Sequence, residues 1–254
     1  VDGVGDIQTL GTGHAMRIWL DPAKLASFAL ISGLIDLPST LYQTFVLEQR
    51  FGAQGRVVQL VNHPSVTDSI PWATNQNLHA SLKALARQMD REHDVLVVYL
   101  SSHGGSDFRL AAQHGPLDVA ELTPQMLRSM LDAAGVRNRV VAVSACYAGG
   151  WIEPLAGDHT LVMTAADATH TSYGCGSRSE LTFFGRALFD EQLRTTHSFE
   201  QAFVAAGPII QQREIEGRKD DGFSNPQIAV GKDIRPVLAR LERELQQRQP
   251  ASGK

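Results

Sequence analysis

The chain predicts an α/β fold built on a mostly parallel sheet with helices on both faces. Two observations in the sequence carry that expectation, and the composition permits it. Apolar, β-branched runs such as Val95-Leu-Val-Val-Tyr-Leu100 and Val140-Val-Ala-Val143 are closed by small residues, the pattern of strands buried on both faces. Segments of helical period separate these runs, and strand–helix alternation implies right-handed crossovers and parallel neighbours. With 254 residues, 43% hydrophobic and 20% charged, the chain is long and apolar enough for one substantial core.

Residues 1–26 hold Gly3, Gly5, Gly11 and Gly13 without a sustained period and read as an irregular arm. Ser27 to Leu34 is the expected first strand, and Pro38 to Arg50 a helix with Leu41, Phe45 and Leu47 inward. Arg56 to Asn62 follows as the second strand. Residues 76–91 place Leu78, Leu82, Leu85 and Met89 at helical spacing. Strands are expected at 94–100, 139–145 and 161–165, with a helix at 124–134 closed by Gly135. Helices at about 178–193 and 197–215 precede a sixth strand, Gln227 to Val230, entered through a Gly-Phe-Ser-Asn-Pro turn. A last helix carries Leu238, Leu241 and Leu245, and 249–254 form a flexible tail. No repeat or long linker divides the chain, so 27–248 reads as one domain.

Net charge is −4, the sequence pI is near 6.1, and no lysine–arginine cluster stands out, which disfavours nucleic acid as a partner. The histidines show no metal-ligand spacing with one another or with cysteine, and neither Gly11-Thr-Gly13 nor Gly104-Gly105 has a phosphate-loop context, so no metal or cofactor is expected. Cys146 and Cys175 read as free thiols. The apolar stretch from Leu25 to Ile35 is too short to span a bilayer. The chain starts at Val1, and an anchor upstream of it is compatible with this reading; compartment and oligomeric state stay open.

The chemistry is concentrated in two segments. Ser101-Ser102-His103-Gly104-Gly105 follows the third strand, and Ser144-Ala145-Cys146-Tyr147-Ala148-Gly149-Gly150 follows the fourth. Open α/β sheets hold their ligands at the carboxyl ends of strands. A thiol becomes a useful nucleophile with an acid or base close by, most often imidazole. An ordinary cysteine is a small buried hydrophobe, and most histidines are structural. His103, however, is the only one of nine that stands directly between a predicted buried strand and Gly-Gly. A nucleophile elbow of another α/β hydrolase would want Gly-x-Cys-x-Gly, and Ser144 stands where its first glycine belongs.

His-Gly after one strand and Ala-Cys after the next, with the cysteine 43 positions on, resembles the legumain family of cysteine peptidases. Ala165-Ala-Asp-Ala-Thr-His-Thr-Ser-Tyr-Gly-Cys175, Phe183-Phe-Gly-Arg186 and Ser224-Asn-Pro-Gln-Ile228 match further segments of that family, particularly its bacterial members. The resemblance implies a caspase-like α/β/α sandwich over a six-stranded, mostly parallel sheet. It implies Cys146 as nucleophile, His103 as general acid/base, and an oxyanion hole from the backbone N–H groups of Gly104 and Cys146. Peptides or proteins would be the substrates of such an endopeptidase.

The departures from the family pattern bear on specificity. Ser102 stands where legumain has an aspartate, and Leu34-Ile-Asp-Leu-Pro38 offers neither the asparagine nor the arginine found there. His170 occupies the place of an acidic pocket residue. A polar pocket of Asp167, His170, Ser172 and Tyr173, with Cys175 in the same loop, would give an altered and pH-dependent first-site preference. Two other functions share these residues: transamidation or ligation through the same acyl-thioenzyme, and a catalytically silent binding domain.

Overall fold

The structure, a computed structural model, describes residues 27–33, 37–63, 68–112, 119–174 and 181–248. The expected arm, the tail, Cys175 and Leu34, the expected end of the first strand, lie outside the described residues. Six strands, β1 (Ser27–Gly33), β2 (Val57–Val61), β3 (Val95–Ser101), β4 (Asn138–Ser144), β5 (Thr160–Thr164) and β6 (Gln227–Val230), form one sheet in the order β2-β1-β3-β4-β5-β6. Every pairing is parallel except the last, in which β6 runs antiparallel to β5. This is the expected six-stranded, mostly parallel arrangement.

Among the described residues the α-helices are α1 (Leu37–Arg50), α2 (Asn75–Gln88), α3 (Pro124–Ala134), α4 (Ile152–Leu155), α5 (Phe183–Gly185), α6 (Phe199–Glu216) and α7 (Ile234–Arg248). Alternation along the central strands sorts the core into two layers. Val95, Val97 and Tyr99 of β3 join α1, the 184–193 segment, α6 and α7 on one face; Leu96, Val98 and Leu100 join α2, α3 and Trp151 on the other. All seven residues of β3 are buried, as expected of a central strand covered on both sides. Thr74, Thr123 and Ser198 cap the starts of α2, α3 and α6 with their side-chain oxygens, and Gly135 ends α3 in the left-handed conformation.

Two expectations are corrected. Phe45 is half exposed rather than inward, and α1 instead buries Gln43, Val46 and Leu47. The Phe45 ring lies under the Arg194 guanidinium, 5.3 Å from it, so its outward position is still occupied by a cation–π contact. The expected helix over 178–193 is not one regular helix. Within the described part, α5 passes into a π-helical turn at Arg186–Glu191 and a 3-10 turn at Gln192–Arg194. Ala187, Leu188 and Phe189 are all buried in succession there. A narrow α-helical stripe cannot bury three consecutive residues, and the widened turn does.

Candidate active site

β3 and β4 pair in register, with Ser101 opposite Ser144, and Ser102 donates its N–H to Ser144 O at 3.2 Å. His103 and Cys146 each stand two residues past that rung, so they emerge side by side at the carboxyl edge of the sheet. Their two turns touch. A Cβ on Gly104 would collide with the carbonyl oxygen of Cys146, so only glycine permits this approach of the His103 turn. His103 is exposed and Cys146 partly buried. Cys146 is a free thiol.

Each turn is fixed by its own local bonds. The buried Ser102 hydroxyl donates to Ala111 O at 2.5 Å, and Ala111 N–H donates to His103 O at 3.0 Å, closing the loop that carries the imidazole. Ser102, where the resembled family has an aspartate, thus serves the loop rather than the ring. After Cys146, Tyr147 adopts φ 55°, a left-handed conformation that costs a non-glycine residue about 1–3 kcal/mol. Its N–H donates to His170 O at 2.9 Å. Below the turn, the Ser144 and Thr182 hydroxyls share a 2.8 Å hydrogen bond that ties the end of β4 to the start of α5. Among the described residues, the N–H groups of Gly104 and Cys146 and the His103 ring have no hydrogen-bond partner.

The loop after β5 lies directly on the thiol. Ser172 N–H points to Cys146 Sγ at 3.3 Å, and Ser172 O lies 3.5 Å from the same sulfur. The four residues expected to form a pocket divide into two groups. Ser172 is buried, and its hydroxyl has no partner. His170 is half-buried with Nδ1 2.9 Å from the Asp167 carboxylate. Asp167 is consumed by the loop itself, accepting from Thr169 N–H and Oγ1, His170 N–H and Asn225 Nδ2 at 2.8–3.0 Å. Tyr173 is exposed; its hydroxyl donates to Gly217 O at 3.3 Å, and its ring centroid lies 5.6 Å from that of Phe183. Ser172 therefore lies against the thiol through its backbone and His170 against the turn after it, whereas Asp167 shapes the loop and Tyr173 packs toward the end of α6.

The sequence reading missed the strap that holds this loop from the segment before β6. Asp221 Oδ2 accepts from Thr171 N–H at 2.9 Å and Thr171 Oγ1 at 2.6 Å, and Ser224 O accepts from Asp167 N–H at 2.9 Å. Only the acidic, glycine-containing composition of 220–225 hinted at it, and that reads equally as a turn. Burial pushes the Asp167 carboxyl up, but the bonds from Asn225, Thr169 and His170 outweigh it and hold the group well below the carboxylate range. For Asp221, burial is likewise outweighed by Lys219 and Thr171. Depressed carboxyls contribute stability above their unfolded value of 3.8 and lose it as pH falls through their folded values. Hydrogen-exchange protection of 167–173 should therefore hold from neutral pH down to about 4 and fail only in stronger acid. Loss of protection between about pH 6 and 5 would contradict this account of the loop.

Comparison with known proteins accords with this geometry. A model of the peptidase C13 family matches residues 72–228, which include His103, Cys146 and the covering loop. A model of the CAAX prenyl protease N-terminal region, which has five membrane helices, matches residues 6–63. The described part of that stretch forms β1, α1 and β2, and no helix among the described residues is long and apolar enough to cross a membrane. Caspase-1 from Spodoptera frugiperda is similar in structure, with a TM-score of 0.54 and 15% identity over 84% of this chain and 93% of that one. That likeness shows a caspase-like fold. A 28-residue stretch is 68% identical to the toluene efflux pump membrane transporter TtgB and to the multidrug/solvent efflux pump membrane transporter MepB, both of Pseudomonas putida. It amounts to 11% of this chain and 3% of either transporter. With its model matched over more than half of the length, the chain belongs to the peptidase C13 family, the legumain-like cysteine peptidases.

Proposed function

We propose that this protein is a cysteine endopeptidase in which Cys146 attacks the scissile carbonyl and His103 moves the protons. The observation that carries the reading is the shared rung: Ser101 pairs with Ser144, and each candidate residue follows two positions later. In this mechanism Cys146 Sγ bonds to the carbonyl carbon as its proton passes to His103. The carbonyl electrons move to oxygen, and that anion is met by the N–H groups of Gly104 and Cys146. His103 gives its proton to the departing amine as the C–N bond breaks, leaving an acyl-thioenzyme. Water then attacks, returns a proton through His103, and releases the acid and the free thiol.

The first-site preference follows from what lies beside the sulfur. Ser172 carries a buried hydroxyl without a partner, and such a group favours a substrate side chain that completes its hydrogen bond. His170, held through Nδ1 by Asp167, keeps Nε2 for the ligand. We read the pocket as polar and altered from one selective for asparagine, with His170 in the place of an acidic residue.

Two experiments check these claims. Cys146→Ala should abolish hydrolysis of a diverse peptide library, and Cys175→Ala should retain a measurable rate. Equal loss in both would overturn the assignment of a single nucleophile. Profiles of the residue preceding the cleaved bond, taken at about pH 5.5 and 7.5, should differ between the parent and His170→Glu, which restores an acidic group. A parent profile strict for asparagine at both pH values would remove His170 from the pocket.

A further inference from the structure

Asp221 and Lys219 stand 75 and 73 positions after Cys146, yet they connect to it through one continuous set of hydrogen bonds. The Lys219 side chain is almost wholly buried, 1% exposed. Its ammonium pairs with Asp221 Oδ1 and donates to Gly222 O at 2.6 Å. A buried ammonium is costly unless paired, so this pairing fixes where the Asp221 carboxylate sits. The other oxygen, Oδ2, takes both donors of Thr171, the N–H at 2.9 Å and the hydroxyl at 2.6 Å. The next amide along the chain, Ser172 N–H, is the one aimed at Cys146 Sγ at 3.3 Å.

We infer that Asp221 is a positioning residue for the nucleophile: by clamping Thr171 it keeps the Ser172 amide on the Cys146 sulfur. Ser172 O, 3.5 Å from the sulfur, accepts from the thiol before the proton leaves, and the Ser172 amide is the donor that meets the sulfur once it is the attacking anion; an amide held in advance needs no reorganisation when charge appears. Asp221 is ionised at neutral pH, since Lys219 and Thr171 outweigh the upward push of burial, so it acts there only as an acceptor. The loop has an independent hold at its other end, where Asp167 closes the turn and Tyr147 N–H donates to His170 O at 2.9 Å. Removing Asp221 therefore frees Thr171 and Ser172 without releasing 167–170. Among the described residues, the titratable side chains on the segments around the thiol include His103, Asp107 and Arg109 after β3, Tyr147 after β4, and Asp167, His170 and Tyr173 after β5; Asp107 pairs with Arg109, and Asp221 itself faces Lys219.

The inference rests on Cys146 being the nucleophile, so its test reads the thiol directly as well as turnover. Alkylation of Cys146 by iodoacetamide at fixed neutral pH, followed on its own peptide by mass spectrometry, should slow at least about fivefold in Asp221→Ala. Asp221→Asn keeps an oxygen for Thr171 and should recover most of that rate. In peptide hydrolysis kcat should fall in Asp221→Ala while KM stays within about twofold, since the lost interaction serves the reacting sulfur. Thr171→Val, which loses one bond of the clamp and leaves Lys219 paired, should slow alkylation in the same direction and serves if Asp221→Ala does not fold. A purely structural role would leave alkylation of the folded variants unchanged, or speed it by opening the loop, and either result overturns the inference. If the parent cleaves no peptide but alkylation slows as stated, the endopeptidase reading fails and the positioning role of Asp221 stands.

Discussion

The in-register parallel pairing of β3 with β4 is the constraint on which the rest of the site depends. A parallel pair delivers both chains to the same edge, and the Ser101–Ser144 rung delivers them at the same height. A one-residue slip would turn every side chain of β3 to the opposite face, which burial on both sides forbids. The fixed rung brings the His103 turn against the Cys146 carbonyl, and Gly104 is what makes that contact possible. Two helical layers that never approach the substrate thus set the geometry of the two residues that would.

The thiol is held from a second direction by a loop that is rigid for local reasons. Asp167 closes its first turn, Asp221 clamps its second, and Gly149 lets it settle onto the turn after Cys146, where a Cβ would meet the backbone of Asp167 and Ala168. Charged groups at the surface usually contribute little because solvent screens them. Here their effect lies in placing backbone amides, which is a matter of geometry rather than of net attraction. A loop built this way keeps its shape where it meets the thiol through the Ser172 backbone.

Much of this was legible in the sequence because it is local. The β3 and β4 runs, the small residues that close them, and the two turns carrying His103 and Cys146 all lie within short windows. Gln43 was not legible as a core residue, nor Phe45 as an outward one, because what α1 buries is decided by the sheet and the 186–194 segment rather than by its own period. The broken course of 183–194 was missed for a related reason: three consecutive buried residues defeat a helical pattern. The Asp221–Thr171 clamp spans 50 positions and leaves no periodic trace, so only the folded chain reveals it. Asp167 reads in the sequence as a pocket residue, and the folded loop shows its carboxylate serving Thr169, His170 and Asn225.

The central claim is that His103 and Cys146 address one carbonyl from adjacent strand ends. A crystal structure of the protein inactivated by a peptide aldehyde tests it most directly. The account predicts a bond from Cys146 Sγ to the former carbonyl carbon, its oxygen within hydrogen-bond reach of the Gly104 and Cys146 amides, and the His103 ring on the leaving-group side. An adduct on Cys175, or an oxygen turned away from both amides, would contradict it.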